Sequence, residues 1–254
     1  MERDFTLKIY TELLETALQK GYTLSAYENF VRGEITNNKV YILRHDVDDL
    51  PYNSVRTAEI EKSLGGRGVY YFRIVKQSNV PDAIEKIAAM GHEIGYHYED
   101  LALCHGNYEK AYEQFLSNLE YFRKYYPVKT ICMHGSPMSK WDNRKIWDKY
   151  DYKSSNIIAE PYFDTDFNKM LYITDTSRHW NGSSYSIRDK VDGLQANISS
   201  TRNLIEQLKS GMLSNQIMMN IHPQRWHDNI AGWGKELILQ STKNVVKKMI
   251  STNK

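Results

Sequence analysis

Short apolar runs alternate with helix-period segments along most of the 254 residues, and that alternation restricts the fold more than any other feature. Leu7, Tyr10, Leu13, Leu14, Ala17 and Leu18 recur at helical spacing before Gly21, which predicts a helix over 5–20. Residues 22–30 read as extended. Residues 40–43 read as a buried strand. A helix over 52–64 ends at Gly65-Gly66, and 69–75 forms a second strand rich in β-branched and aromatic residues. Pro81 opens a helix that Gly91 ends, and 93–97 is a third strand. An amphipathic helix over 107–126 leads to a fourth strand at 129–133. A short helix near 143–149 follows, then two short strands between 154 and 178, with 171–173 the better one. A helix over 199–210, an apolar strand over 216–221 and a helix over 233–250 complete the chain. Strands alternating with helices run parallel through right-handed crossovers. One α/β domain spanning 1–254 is the simplest arrangement, and single barrels reach this length.

The ionisable residues collect where strands end. Arg44-His45-Asp46-Val47-Asp48-Asp49 follows the first strand, and Pro51 stops it. Side chains alternate with period two, so Asp46 and Asp48 point together. Acids this close raise each other's cost of ionisation and need a cation or an opening to water. One carboxylate can hold a divalent metal while the other activates a water. The alternative is a solvated acidic loop, with Asp49 capping the next helix. His97, His134, Asp175 and His222 end four further strands. The C-terminal strand ends of parallel sheets share one face, where sites are built. Five strands delivering ionisable residues to that face favour the site over the loop.

Composition removes several function classes. A net charge of +2 gives no support for nucleic acid or an anionic membrane as partner. Cys104 and Cys132 make neither a disulfide framework nor a cysteine metal site. The charged start Met1-Glu2-Arg3-Asp4 lacks a signal-peptide core, and no apolar run has the length of a membrane span. A soluble cytoplasmic protein is therefore expected. No Gly-rich phosphate loop accompanies the acids, which argues against phosphoester hydrolysis. The 19 tyrosines and 5 tryptophans suit a carbohydrate-facing surface and ordinary packing equally.

Three stretches carry a family resemblance. Arg44-His45-Asp46-Val47-Asp48-Asp49, Gly91-His92-Glu93-Ile94-Gly95-Tyr96-His97 and Ile221-His222-Pro223 resemble the ordered motifs of the polysaccharide deacetylases, carbohydrate esterase family 4. The resemblance spans about residues 38–226. It implies a distorted (β/α) barrel of about seven parallel strands and metal-dependent hydrolysis of an N-acetyl group. It implies Asp46 as general base, Asp48 and His97 as metal ligands, His222 as general acid and Asp175 as the acid that orients it.

Two departures alter the expected site. Leu101 stands where the family has a second metal histidine, with Glu99 and Asp100 the nearest substitutes. Met133-His134-Gly135-Ser136-Pro137 stands where the family has an arginine followed by prolines. His134 is expected in the site, either as the replacement ligand or touching substrate. Arg44 or Arg178 is expected to replace the arginine that steadies the base. His45, Trp180 and Trp226 either line the groove or pack in the core, and His92 is expected to be structural. Imidazole and carboxylate ligands suit zinc. The expected function is a metal-dependent hydrolase that removes an N-acyl group, acetyl above all, from an amino sugar or glycan derivative. The alternative, motivated by Leu101, is a deacetylase-fold glycan-binding protein with an incomplete metal site and no turnover.

Overall fold

A computed structural model describes residues 3–180 and 188–252. Its elements in chain order are α1 (Leu7–Gln19), β1 (Thr23–Ser25), α2 (Tyr27–Val31), β2 (Val40–Val47), α3 (Pro51–Ser63), β3 (Val69–Phe72), α4 (Pro81–Ala89) and β4 (Glu93–Tyr98). There follow α5 (Asp100–Leu103), α6 (Tyr108–Arg123), β5 (Ile131–Met133), α7 (Pro161–Asp164), β6 (Leu171–Thr174), α8 (Thr201–Ser210), β7 (Gln216–Ile221) and α9 (Ile230–Thr252). The strands form one seven-stranded parallel sheet in the order β5-β4-β3-β2-β7-β6, with β1 also on β2. One edge of β2 pairs with β7; the other is shared, β1 taking residues 40–42 and β3 taking 44–47. The path ends at β5 and β6 rather than closing, so the sheet is a curled half-barrel.

Period-two alternation sorts β2 between two environments. Tyr41 and Leu43 join a core with Leu13 and Leu14 of α1 and Ile217 and Met219 of β7. Val40 and Ile42 join Val69, Tyr71, Cys132 and Met218 inside the curl. A further core packs Tyr70, Phe72, Ile94 and Tyr96 against Phe115, Leu119 and Phe122 of α6. Arg44 and Asp46 continue the inward row, while His45 and Val47 face the helices.

The sequence reading ends the first strand at Leu43, yet all eight residues of β2 are buried strand. The charges are tolerated because each has a buried partner on its own face. His45 Nδ1 donates to the Val69 carbonyl at 2.9 Å, and Nε2 lies 2.7 Å from Glu61 Oε1. Tyr10 OH donates to the same oxygen at 2.6 Å. Burial pushes the Glu61 carboxyl up, but His45 and His92 hold it below its usual range. His92 is structural: its Nδ1 accepts from Gly68 N at 2.9 Å and its Nε2 donates to the Ala58 carbonyl at 2.9 Å. Other differences are local. The 22–30 segment contains α2, the helix at 143–149 is a 3-10 turn, and 154–178 holds one strand rather than two.

Gly68 packs against this charged cluster. A Cβ there would lie 2.4 Å from Glu61 Oε2 and 2.9 Å from His45 Cε1. Both groups are fully buried and cannot move aside. Gly68→Ala is expected to lower stability by about 1–3 kcal/mol in urea unfolding. Gly234→Ala, where a Cβ meets nothing within 4 Å on helix α9, should not.

Candidate active site

The inward row of β2 sets the floor of the site. Arg44 donates to Asp46 twice, Nε to Oδ1 at 3.1 Å and Nη2 to Oδ2 at 2.8 Å. Asn220 of β7, in register with Arg44, donates to Asp46 Oδ2 at 3.0 Å. The guanidinium lies 4.9 Å from the Tyr162 ring centroid and 5.8 Å from that of Tyr172. Burial pushes the Asp46 carboxyl up; Arg44, His97 and His222 outweigh it and hold the group well below the usual carboxylate range. Asp46 is an anchored, ionised carboxylate.

Asp48 follows β2 with the same orientation. Its Oδ1 is buried without a hydrogen-bond partner among the described residues. That oxygen lies 3.5 Å from His134 Nε2 and 3.9 Å from His97 Nε2. Arg73 Nη1 is also 3.9 Å away. Each histidine is tied by its other nitrogen. His97 Nδ1 is 2.9 Å from the Cys132 carbonyl, which can only accept, so Nδ1 carries the proton and Nε2 presents a lone pair. Burial lowers the His97 pKa to about 4, which keeps the ring neutral at pH 7. His134 Nδ1 lies 2.8 Å from Glu99 Oε2, and Arg73 grips Glu99 through Nε at 2.8 Å and Nη2 at 2.9 Å. A carboxylate behind a histidine is the usual means of orienting a metal-binding imidazole.

His222 and Asp175 follow the adjacent strands β7 and β6. His222 Nδ1 is 2.7 Å from Asp175 Oδ1, and its Nε2 lies 3.9 Å from Asp48 Oδ2. Asp175 also accepts from Arg225 Nη1 at 2.6 Å and Trp226 Nε1 at 2.8 Å. Burial opposes its ionisation, but Arg225 and His222 prevail and lower its pKa. Asp46, Asp48, His97, His134 and His222 all line one cavity of about 970 Å³.

Several expected site residues lie elsewhere. His45 is on the opposite face of β2, as alternation requires. Trp226 is fully buried against Phe5 and Tyr10, and its N–H supports Asp175 from behind. Trp180 is buried and donates to Thr201 Oγ1 at 3.0 Å. Arg178 stacks over Phe5 and Trp233, so of the two candidate arginines it is Arg44 that steadies Asp46. Arg44 lies beneath Asp46 and is not among the cavity-lining residues. Asp100 turns into the core, where Tyr96 OH and Asn118 Nδ2 donate to it and burial raises its pKa to about 7. Leu101 packs beside it in the α6 core.

Arg73, Arg225, Asn220 and the clamping role of Glu99 escaped the sequence reading. Arg73 follows β3 as Asp48 follows β2, so the strand-end rule could have found it. Cysteine also enters, against expectation. Ligand atoms of Asp46, His97 and Cys132 lie within 4.8 Å of one another, a buried set able to hold a metal ion. Burial pushes the Cys132 thiol well above its ordinary pKa.

No protein-family model and no curated protein matches the chain. The fold is distantly similar to a solved structure of the peptidoglycan deacetylase PdaC from Bacillus subtilis, in a substituted form. That match covers 84% of this chain and 98% of the other, at 12% identity and a TM-score of 0.41. It is also similar to the Xyl-CE4 domain of a multidomain xylanase from the hindgut metagenome of Trinervitermes trinervoides. There the coverage is 84% and 85%, the identity 12% and the TM-score 0.35.

Removing one partner of a buried ion pair leaves the other uncompensated. Arg44→Met is expected to cost about 3–5 kcal/mol in urea unfolding at neutral pH. The double variant Arg44→Met/Asp46→Asn should recover much of that loss, because no buried charge is then left alone.

Proposed function

We propose that the chain is a metal-dependent hydrolase that removes an N-acyl group from an amino sugar or glycan derivative. The observation that carries this reading is the orphaned Asp48 Oδ1, faced by imidazole nitrogens whose ring partners are already fixed. Asp48, His97 and His134 would hold the ion, His134 standing in for the histidine that Leu101 replaces. One carboxylate and two imidazoles are a donor set that suits zinc. When bound, such a cation supplies a Lewis acid for the amide carbonyl and lowers the pKa of a water.

The remaining work falls to side chains. Asp46, ionised and clamped by Arg44, orients the attacking water and accepts its proton. Its depressed pKa makes it a weak base, so it serves only a water already made acidic. His222 Nε2 faces the cavity and delivers a proton to the departing amine, which otherwise leaves poorly. Asp175 holds the ring in place, and Arg225 and Trp226 hold Asp175. A cavity of about 970 Å³ has room for a sugar and its acyl group. The motif resemblance supports a carbohydrate substrate.

Metal analysis of purified variants separates the candidate ligand sets. We expect about one divalent ion per chain, lost in Asp48→Ala and His134→Ala and kept in Cys132→Ser. Loss in Cys132→Ser with retention in His134→Ala would instead assign the ion to Asp46, His97 and Cys132. A wild-type chain that takes up no metal at any concentration would favour the glycan-binding reading. In an assay of amine release from N-acetylated sugars, His222→Ala should lower kcat by about 10²–10⁴ with metal content unchanged.

A further inference from the structure

Helix α9 is turned the unusual way round. A surface helix ordinarily buries its apolar stripe and exposes its polar one. Here Glu236 and Gln240 are buried against the protein, and Asn244 Nδ2 donates to the Ser177 carbonyl at 3.0 Å. Ile230, Ile238 and Val245 recur at intervals of eight and seven along the outward line. They are 74%, 69% and 54% exposed. Lys235, Leu239 and Lys243, four residues apart, form the strip that borders the cavity mouth, and all three are exposed.

The other rim of the mouth has the same character. Leu50 and Met138 line the cavity and are 46% and 77% exposed. Leu50 is held at φ 48°, a left-handed conformation that branched side chains rarely adopt. Such backbone strain persists where the surroundings impose it, often at functional sites. Exposed apolar side chains thus stand on two sides of a polar cavity, with Lys235 and Lys243 at the α9 edge and a single exposed acid, Asp49, beside Leu50.

We propose that α9, Leu50 and Met138 seat the cavity mouth on the surface of an anionic lipid bilayer. Charge complementarity selects this occupant. The exposed charges of α9 among the described residues are Lys235 and Lys243, and its one acid, Glu236, is turned inward. Aliphatic side chains with flanking lysines match the boundary between acyl chains and anionic headgroups. A second copy of the chain would bring the same lysine-bearing strip to the shared interface. No helix among the described residues is long and apolar enough to cross a membrane, and lying on one requires no such length. The near-neutral net charge of the whole chain does not oppose this, because the attraction is local.

Flotation of the purified full chain with lipid vesicles tests the proposal without any substrate, so its outcome is independent of the hydrolase reading. The chain should float with vesicles containing phosphatidylglycerol and at least about tenfold less with pure phosphatidylcholine, and added salt should weaken the binding. Ile238→Glu/Val245→Glu should cut the bound fraction about tenfold with an unchanged circular-dichroism melting curve. Met138→Glu, on a separate element, should also reduce it. Equal flotation with both lipids, or none, overturns the proposal. So does a dimer in sedimentation that the double variant dissociates, because the face would then be covered by a second copy.

Discussion

The two hydrogen bonds between Arg44 and Asp46 are the constraint on which the interior of this half-barrel depends. Both groups sit on the inward row of the central strand, Arg44 beneath the cavity and Asp46 almost wholly buried at its floor. Each alone would carry a prohibitive desolvation cost. Together, and ringed by Tyr71, Tyr162 and Tyr172, they form a neutral polar pair inside the curl. The pair ties three strands at one level, because Asn220 binds Asp46 from β7 and the Tyr71 ring covers it from β3. Gly95 of β4 leaves the space that this ring occupies: a Cβ there would lie 2.3 Å from the Tyr71 ring.

The floor above the pair is organised by partners that each polar group already has. His97 is fixed by a backbone carbonyl, His134 by Glu99, and His222 by Asp175, so three rings project their second nitrogens into one cavity without needing to move. Asp48 Oδ1 is left without a hydrogen-bond partner among the described residues. This asymmetry bears on which residues would take a cation. Both oxygens of Asp46 are engaged by Arg44 and Asn220, and burial makes the Cys132 thiol hard to ionise. Using them means breaking existing bonds and deprotonating a buried sulfur. Asp48 and His134 offer free donor atoms at the cavity wall.

Much of this was legible in the sequence, for a physical reason. Parallel strands deliver their C-terminal residues to one face, so a list of strand ends is nearly a list of floor residues. Asp46, Asp48, His97, His134 and His222 follow from that rule. Partnership was less legible. His45 and Asp46 are adjacent in sequence and separated by the sheet, a distinction alternation provides only once the strand is known to continue past Leu43. The strand looked too charged to continue, because Glu61, which accommodates His45, lies on a helix sixteen residues later. Trp226 and Asp100 failed similarly. Each reads as a candidate by type, but the Trp226 N–H is committed to Asp175, and the Asp100 carboxylate to Tyr96 and Asn118.

The mouth of the cavity obeys different rules from its floor. Floor residues are held by sheet register and by hydrogen bonds among buried groups, and such positions tolerate little change. The rim comes from a strained Leu50, the turn bearing Met138 and the helix α9, none of which belongs to the sheet. Helical periodicity identified α9, but periodicity alone does not say which stripe faces the protein. The buried stripe carries polar groups: Glu236 and Gln240 face the protein, burial pushing the Glu236 carboxyl up although Arg225, Lys243 and Arg178 oppose it, and Asn244 reaches the Ser177 carbonyl. Those contacts fix the rotation of the helix and thereby turn Ile238 and Val245 outward. The floor of the cavity is thus set by the sheet, and one side of its mouth by a helix whose orientation depends on a few polar contacts.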